Sequence, residues 1–309
     1  MKRLESFVVA GLVGAMLSAP AAVLAAPVAY RYASVDGIRI FYREAGDRNK
    51  PTIVLLHGFP SSSHMFRDLI PLLSARFHLV APDYPGMGFS DAPPANKFTP
   101  TFNSVAGVTE KFLQQLGETK VIVYMQDFGG PVGMRIATDH PEWIRGLIVQ
   151  NTPISDDGWD PARLKAVRAN AGPGTPEKRA AAESRVVIDT ALLLYKKGAR
   201  NPEQLNPDAW ASDAYALRDP EKRRIMTDLQ LDIPSNLDLY PKWQGYLQKS
   251  QPETLVVWGK GDPIFAVAGA EAVKRYVPKA EVHIYDAGHF ALEEDAPDIA
   301  RQIIRKFSK

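Results

Sequence analysis

The segment from Val121 to Gly130 constrains the fold more than any other part of the sequence, because it predicts a buried strand, a sharp turn and a helix in succession. Residues 121–125 are apolar and largely β-branched, which is typical of a strand buried on both faces of a parallel sheet. Residues 131–140 have helical spacing. Asp127 lies between these elements, and two glycines follow it closely. We therefore expect the Asp127 carboxylate to be held at the carboxyl end of a central strand.

A side chain held on such a turn is a candidate nucleophile, since small neighbours leave it accessible at the top of a sheet. A carboxylate suits displacement at a saturated carbon that carries a leaving group. Attack by Asp127 would produce an alkyl ester, which water activated by a histidine would then cleave. The structural alternative is that Asp127 only caps the following helix. Capping explains the carboxylate but not the acid and the histidine found further along the chain.

The residues that would complete such a site follow two later strands. Asp262 comes after the apolar run 254–258, and His289 comes after the strand-like run 281–285. The chain order of nucleophile, acid and histidine fits a strand-turn-helix nucleophile. Asp262 would fix the tautomer of His289, so that the other ring nitrogen can take a proton from water. Asp156 and Asp157, after the strand that ends at Gln150, offer an alternative position for the acid.

Strands and helices alternate along most of the sequence, which predicts a mostly parallel sheet with active-site residues at the carboxyl ends of its strands. Two strand patterns flank Asp36 and Gly37, a strong hairpin signal. A helix is expected around Met65–Ser74. The strand pattern stops from residue 152 to 251, where proline and glycine turns separate helical stretches. An all-helical insertion of this kind predicts a lid that excludes water and shapes the substrate pocket.

Four short motifs carry a resemblance to a known family. They are His57-Gly-Phe-Pro60, Asp83-Tyr-Pro-Gly-Met-Gly-Phe-Ser90, Gln126-Asp-Phe-Gly-Gly130 and Gly288-His-Phe290. In this order the chain resembles the α/β-hydrolases of the epoxide hydrolase and haloalkane dehalogenase branch. The resemblance implies an α/β-hydrolase fold, in which helices flank a mostly parallel central sheet. It divides the chain into a core of residues 26–151 and 252–309 and an inserted helical cap of residues 152–251.

The resemblance also assigns roles around Asp127. The backbone N–H groups of Phe59 and Phe128 would form an oxyanion hole, and the Phe59–Pro60 peptide would be cis. Such a hole needs two donors aimed at the oxygen that gains charge during ester hydrolysis. Dehalogenases of this branch typically carry a tryptophan directly after the nucleophile, whereas this chain has Phe128.

The sequence therefore favours hydrolysis of an epoxide to a diol. Related epoxide hydrolases protonate the developing alkoxide with tyrosines of the cap, and a phenol with a pKa of about 10 suits that task. Tyr195 and Tyr240 are the candidate donors here. Haloalkane dehalogenation remains an alternative, because Trp159, Trp210 or Trp243 could offer an indole N–H to a halide. A non-catalytic binding protein on the same fold is the alternative from another class.

The composition and the N-terminal sequence indicate in which compartment the protein works and what it binds. Lys2 and Arg3, an apolar stretch and small residues up to Ala25 predict a signal peptide over residues 1–25, and hence a periplasmic or secreted protein without stable membrane insertion after cleavage. With no cysteine the chain can form no disulfide. A net charge of +2 predicts no nucleic-acid partner. No metal-ligand spacing or nucleotide motif is present, so no cofactor is expected. The expected partners are a small apolar electrophile and water.

Overall fold

The computed structural model describes residues 26–308, which contain one eight-stranded sheet. The signal peptide predicted for residues 1–25 lies outside the described residues. Five adjacent inner strands, at residues 52–56, 78–82, 121–126, 144–150 and 253–259, are mostly apolar and buried along most of their length, as the sequence pattern predicts for a sheet covered on both faces. The strands are β1 (Ala29–Val35), β2 (Ile38–Ala45), β3 (Thr52–Leu56), β4 (His78–Pro82), β5 (Val121–Gln126), β6 (Ile144–Gln150), β7 (Glu253–Gly259) and β8 (Glu281–Tyr285).

The strand order is β1-β2-β4-β3-β5-β6-β7-β8, and β3 to β8 run parallel to one another. The two antiparallel pairings in this sheet are β1 with β2 and β2 with β4. The chain leaves β3 towards β4 on one side and then returns to form β5 on the other. A parallel sheet opens a crevice at such a switch point, outside the carboxyl ends of the two strands. The loops after β3 and β5 therefore border the crevice in which a ligand is expected to bind.

The hairpin predicted at Asp36 and Gly37 is confirmed. Val35 pairs with Ile38 across the turn, and both turn residues have positive φ angles, 50° and 80°. Two successive residues in the left-handed region match the right-handed twist of the flanking strands. Aspartate and glycine are among the residues that tolerate this conformation best.

Five of the α-helices belong to the parts of the chain that form the sheet. The predicted helix over Met65–Ser74 is wrong in extent, because the structure divides it into a short 3₁₀ turn at Ser63–Phe66 and a single α-helical segment at Leu69–Leu73. Arg67 and Asp68 separate the two pieces. The helices are α1 (Leu69–Leu73), α2 (Phe102–Leu116), α3 (Gly129–Asp139), α9 (Ala268–Tyr276) and α10 (Leu292–Phe307).

The chain between β6 and β7 forms the other five α-helices, and we call residues 152–251 the cap segment. The division of the chain into core and cap domains stays a prediction. α4 (Pro161–Ala169) has no buried residue, whereas α8 (Pro220–Ser250) is long and buries one side along its length. Among the described residues no helix combines the length and apolar character needed to cross a membrane. The helices are α4 (Pro161–Ala169), α5 (Pro176–Glu183), α6 (Ile188–Lys196), α7 (Asp208–Ala216) and α8 (Pro220–Ser250).

Candidate active site

Asp127 occupies the turn between β5 and α3 in a strained backbone conformation. Its φ angle is 49°, in the left-handed region that non-glycine residues rarely adopt. The turn needs the glycines beside it: a Cβ on Gly129 would lie 2.2 Å from the carbonyl oxygen of Leu56, and one on Gly130 would lie 1.9 Å from Oγ1 of Thr152. That Thr152 hydroxyl donates a hydrogen bond to the Asp127 carbonyl at 2.9 Å. Close packing around the turn thus fixes the direction of the Asp127 side chain.

The two oxygens of the Asp127 carboxylate have different surroundings. Oδ1 accepts a hydrogen bond from the backbone N–H of Phe59 at 2.7 Å, and the backbone N–H of Phe128 also stabilises the carboxylate. Oδ2 lies 3.9 Å from Nε2 of His289. Burial raises the pKa of Asp127, and His289 and the two N–H donors oppose that rise. The Phe59–Pro60 peptide is cis, which confirms that prediction.

His289 and Asp262 form a buried pair beside Asp127. Nδ1 of His289 lies 2.8 Å from Oδ2 of Asp262, and neither side chain is exposed to solvent. Because the carboxylate accepts the Nδ1 proton, Nε2 is the unprotonated nitrogen of the neutral ring, and it lies on the side of Asp127. Oδ1 of Asp262 accepts backbone hydrogen bonds from Ile264 and Phe265 at 2.7 and 3.2 Å, which fix its orientation. Burial alone lowers the pKa of His289, but the Asp262 and Asp127 carboxylates hold it above its usual value.

Gln126 contacts the same histidine, and the sequence analysis did not identify it. Its side-chain Nε2 lies 2.9 Å from Nε2 of His289, so the amide donates to the base nitrogen of the neutral ring. Its Oε1 has no hydrogen-bond partner within the described chain. A Cβ on Gly58 would lie only 2.2 Å from that oxygen. The available signal was a polar residue at the end of a fully buried strand, directly before Asp127.

Asn151 is a second residue that the sequence analysis missed. It lies directly after β6 with a φ of 42°, and its amide donates to Oδ2 of Asp262 at 2.8 Å and to the carbonyl of Gly259 at 3.2 Å. Its Oδ1 accepts from the Gly259 N–H at 3.0 Å. Asn151 therefore joins the ends of β6 and β7 and holds the acid in place.

The alternative acids are not at the site. Asp156 binds Arg168 at 2.6 Å, and Asp157 binds Arg275, so both carboxylates form ion pairs with arginines at the protein surface. Neither is hydrogen-bonded to His289, whose Nδ1 is engaged by Asp262. The structure thus brings Asp127, His289 and Asp262 together and leaves Asp156 and Asp157 outside.

A cavity of about 540 Å³ lies above Asp127, between the sheet edge and the cap segment. Phe59 and Phe128 lie beside the carboxylate with their ring centroids 5.5 Å apart, and Phe102 packs edge-on against Phe128 at 5.0 Å. Most of the remaining wall is apolar and comes from α4, α6 and α8. A volume of this size suits a small organic molecule.

The two candidate tyrosines have different positions. Tyr240 lines the cavity, and its hydroxyl accepts a hydrogen bond from Nε1 of Trp159 at 2.8 Å. Tyr195 is absent from the cavity wall. Its hydroxyl donates to Oδ2 of Asp213 at 2.9 Å, and its ring stacks on Phe290 at 4.0 Å. The expectation that Tyr195 faces the substrate is corrected, because a buried carboxylate already engages its hydroxyl.

Trp243 lies in the cavity wall, and His57 lies in the loop after β3. Trp243 lines the cavity, is 1% exposed and has an indole N–H without an acceptor in the part of the chain that the structure describes. His57 is fully buried, stacks on Tyr84 at 4.2 Å and accepts the Tyr84 N–H at 3.2 Å. Burial lowers the pKa of His57, so we regard it as a neutral structural residue of the loop after β3.

Comparison with known proteins places this geometry in a family. The model of the alpha/beta hydrolase fold family matches residues 51–296 of this chain. The chain is 38% identical to an uncharacterized hydrolase of Saccharomyces cerevisiae, over 89% of this chain and 95% of that protein. It is 25% identical to a haloalkane dehalogenase of Psychrobacter cryohalolentis, over 87% of each chain, and 28% identical to epoxide hydrolase 4 of Mus musculus, over 89% of this chain and 77% of that protein.

A solved structure agrees with the fold. The haloalkane dehalogenase DbeA from Bradyrhizobium elkani superimposes with a TM-score of 0.72 at 22% identity, covering 90% of this chain and 96% of that one. The eight-stranded sheet, the aspartate on the strand-to-helix turn and the extent of the match lead to one conclusion. The chain is an enzyme of the alpha/beta hydrolase fold family.

Proposed function

We propose that this hydrolase opens epoxides to diols through an alkyl ester on Asp127. The observation that carries the proposal is the arrangement of the Asp127 carboxylate at the base of an apolar cavity. One of its oxygens accepts the backbone N–H of Phe59, and the other lies on the side of the buried His289–Asp262 pair. A carboxylate so placed, rather than a serine, favours displacement at a saturated carbon.

The first step forms a bond between Oδ2 of Asp127 and one epoxide carbon while the bond from that carbon to the epoxide oxygen breaks. The electron pair of the broken bond goes to the oxygen, which takes a proton from Tyr240. The Tyr240 hydroxyl is suited to this role because it accepts from Trp159, which leaves its own proton free to donate into the cavity. The products of this step are a hydroxyalkyl ester and a phenolate.

The second step cleaves the ester at the Asp127 carbonyl carbon. His289 takes a proton from water, and the resulting hydroxide adds to that carbon. The negative charge on Oδ1 is stabilised by the N–H groups of Phe59 and Phe128. Collapse releases the diol, protonated by His289, and the carboxylic acid left at Asp127 returns its proton to the Tyr240 phenolate. One oxygen of Asp127 now comes from water.

Hydrolysis of a carbon–halogen bond is the second candidate, and one observation favours it. The indole N–H of Trp243, which has no acceptor among residues 26–308, is the kind of donor that stabilises a departing halide. The haloalkane dehalogenase among the relatives points in the same direction. Against it, Phe128 follows the nucleophile and its ring offers no N–H.

Matched substrates separate the two functions. Epoxyhexane and bromohexane share a carbon skeleton, so diol release and bromide release can be compared at equal concentration. We expect diol from the epoxide and little or no bromide. Bromide release that exceeds diol release, and that disappears in Trp243→Phe but persists in Tyr240→Phe, would replace the epoxide assignment with dehalogenation.

We propose that the enzyme works after export, on the basis of the sequence of residues 1–25. An exported enzyme without cysteine depends on its packed core rather than on disulfides. Sequencing the N-terminus of protein recovered from a periplasmic extract or from the medium tests this. A start at Ala26 is expected, whereas an intact Met1 in the cell interior would overturn the proposal.

A further inference from the structure

Two arginines line the cavity, Arg163 and Arg185. The helical spacing of α4 explains the position of Arg163. Four α4-side residues that line the cavity, Arg163, Ala166, Val167 and Asn170, recur at the i, i+3, i+4 and i+7 spacing of one helical face. Arg163 therefore faces the cavity rather than bulk solvent alone. Its guanidinium also lies 3.4 Å from the carbonyl of Pro263, next to the loop that carries Ile264 and Phe265 of the cavity wall.

Arg185 is the second arginine, on the short connection between α5 and α6. Its neighbour Val186 is buried at 1% exposure, so the backbone at this point is packed against the protein while the Arg185 side chain lines the cavity. Both arginines are exposed. They therefore lie where the cavity opens to solvent, and we call Arg163 and Arg185 the rim pair.

The rim pair has no carboxylate partner within residues 26–308, although nearby arginines do. Arg168, on the same helix as Arg163, pairs with Asp156 at 2.6 Å, and Arg179 on α5 pairs with Asp228. Among the described residues that line the cavity, Asp127 at the base carries the only acidic side chain. The cavity thus combines the Asp127 carboxylate, mostly apolar walls and two exposed arginines that have no carboxylate partner among the described residues.

We infer that the substrate is an amphipathic molecule whose electrophilic carbon reaches Asp127 and whose far end carries a carboxylate bound by the rim pair. This inference rests on the proposed function for the chemistry at Asp127. A guanidinium can bind a carboxylate through two parallel N–H donors, which gives orientation as well as attraction. The apolar walls accept the alkyl chain, and the exposed rim leaves the carboxylate partly hydrated, which limits the cost of desolvation.

The test compares charged and neutral forms of one substrate. The substrates are undecanoate with a terminal epoxide and the methyl ester of the same compound. The variants are Arg163→Gln, Arg185→Gln and the double variant. Lys165→Gln is the matched control, because Lys165 is an exposed cation on the same helix that does not line the cavity. A residue two positions from Arg163 lies on the opposite side of the helix.

For the wild type we expect a higher kcat/KM with the carboxylate than with the ester. The double variant should lose about 10-fold of kcat/KM with the carboxylate and almost none with the ester. High salt should reduce the wild-type preference, because rim charges near solvent are screened. Lys165→Gln should behave as the wild type. Equal kcat/KM for carboxylate and ester in the wild type, or equal losses for both in the double variant, would overturn the inference while leaving epoxide hydrolysis intact.

A binding measurement keeps the two proposals distinguishable. If the wild type turns over neither substrate, the proposed function fails, and the rim pair is then tested with undecanoate by calorimetry. We expect undecanoate to bind the wild type and to bind the double variant about 10-fold more weakly. Equal affinity for wild type and double variant, or no binding to either, would overturn the carboxylate site whatever reaction the enzyme performs.

Discussion

The cavity has a floor, formed by Asp127, Asp262 and His289 at the ends of strands, and a roof, formed by the helices of the cap segment. The two are built in different ways. On the floor, the side chains of Asp127, Asp262 and His289 are 11%, 0% and 0% exposed, and backbone donors or short hydrogen bonds hold each of them. The roof is formed in part by α4, which has no buried residue and presents the exposed Arg163 to the cavity. Strand ends and hydrogen bonds position the floor residues, whereas the roof depends on side-chain packing of separate helices.

This difference separates two aspects of function. In the proposed mechanism the floor residues form and break the bonds, because catalysis needs donors and nucleophiles held in fixed positions. In the same mechanism the roof residues select the molecules that enter and protonate the leaving oxygen. Substitutions on the floor should therefore reduce turnover of every substrate, whereas substitutions in the roof should change rates selectively or change stability alone.

The largest expected effect is at the nucleophile. Asp127→Ala should reduce kcat by on the order of 10⁴-fold or more for every epoxide tested, because no ester can form. Diol release under saturating substrate measures this. Asp156→Ala is the control, since that carboxylate pairs with Arg168 at the surface, and it should retain wild-type turnover. Full activity in Asp127→Ala would remove the distinction between floor and roof.

The next effect distinguishes the two cap tyrosines. Tyr240→Phe should lower kcat by roughly 10²-fold, the contribution typical of a general acid, because the alkoxide loses its proton donor. Tyr195→Phe should leave kcat almost unchanged and cost about 1 kcal/mol of stability, because its hydroxyl binds Asp213 outside the cavity wall. Steady-state kinetics and urea unfolding of both variants give the comparison. The reverse pattern would place the proton donor at Tyr195.

The smallest effect on turnover is expected at Asp213, a buried carboxylate on α7. Burial raises its pKa to about 7, while hydrogen bonds from Tyr195 and Ser212 oppose the rise. The unfolded chain loses this proton near pH 4. Between those values the folded state binds a proton that the unfolded state does not, so stability falls as pH rises through this range.

Asp213→Asn removes that titration and keeps an acceptor for the Tyr195 hydroxyl. The variant should therefore be more stable than the wild type at pH 8 by roughly 1–3 kcal/mol, and the difference should shrink as the pH falls towards 4. Urea unfolding at several pH values measures the free energy difference, and kcat should stay unchanged. A stability difference that is independent of pH would show that Asp213 of the cap segment does not titrate as a buried carboxylate with a raised pKa.

The sequence predicted the floor better than the roof, for physical reasons. Asp127, Asp262 and His289 each follow a strand that the sequence pattern predicts, and in a parallel sheet the carboxyl ends of strands meet at one edge, so a one-dimensional pattern brings them together. The cap helices have no such register. Nothing in the local sequence distinguishes Tyr240, which reaches the cavity, from Tyr195, which reaches Asp213.

Two floor residues were nevertheless missed. Gln126 ends a buried strand and Asn151 directly follows one, but amides carry no charge and match no nucleophile, acid or base pattern. Their importance depends on distances that only the folded chain provides, 2.9 Å from Gln126 to His289 and 2.8 Å from Asn151 to Asp262. Gln126 supports His289 and Asn151 supports Asp262, and in each pair the two residues follow or end different strands. They become neighbours only when the chain folds.

The covalent ester is tested most directly by stalling the second step. In His289→Gln the base is absent, while the Asp127 carboxylate and its N–H donors remain. Incubation with an epoxide, followed by intact-protein and peptide mass spectrometry, should show one equivalent of epoxide mass added at Asp127, with less than stoichiometric diol released. Continued diol release with unmodified Asp127, or addition at another residue, would contradict covalent catalysis by this carboxylate.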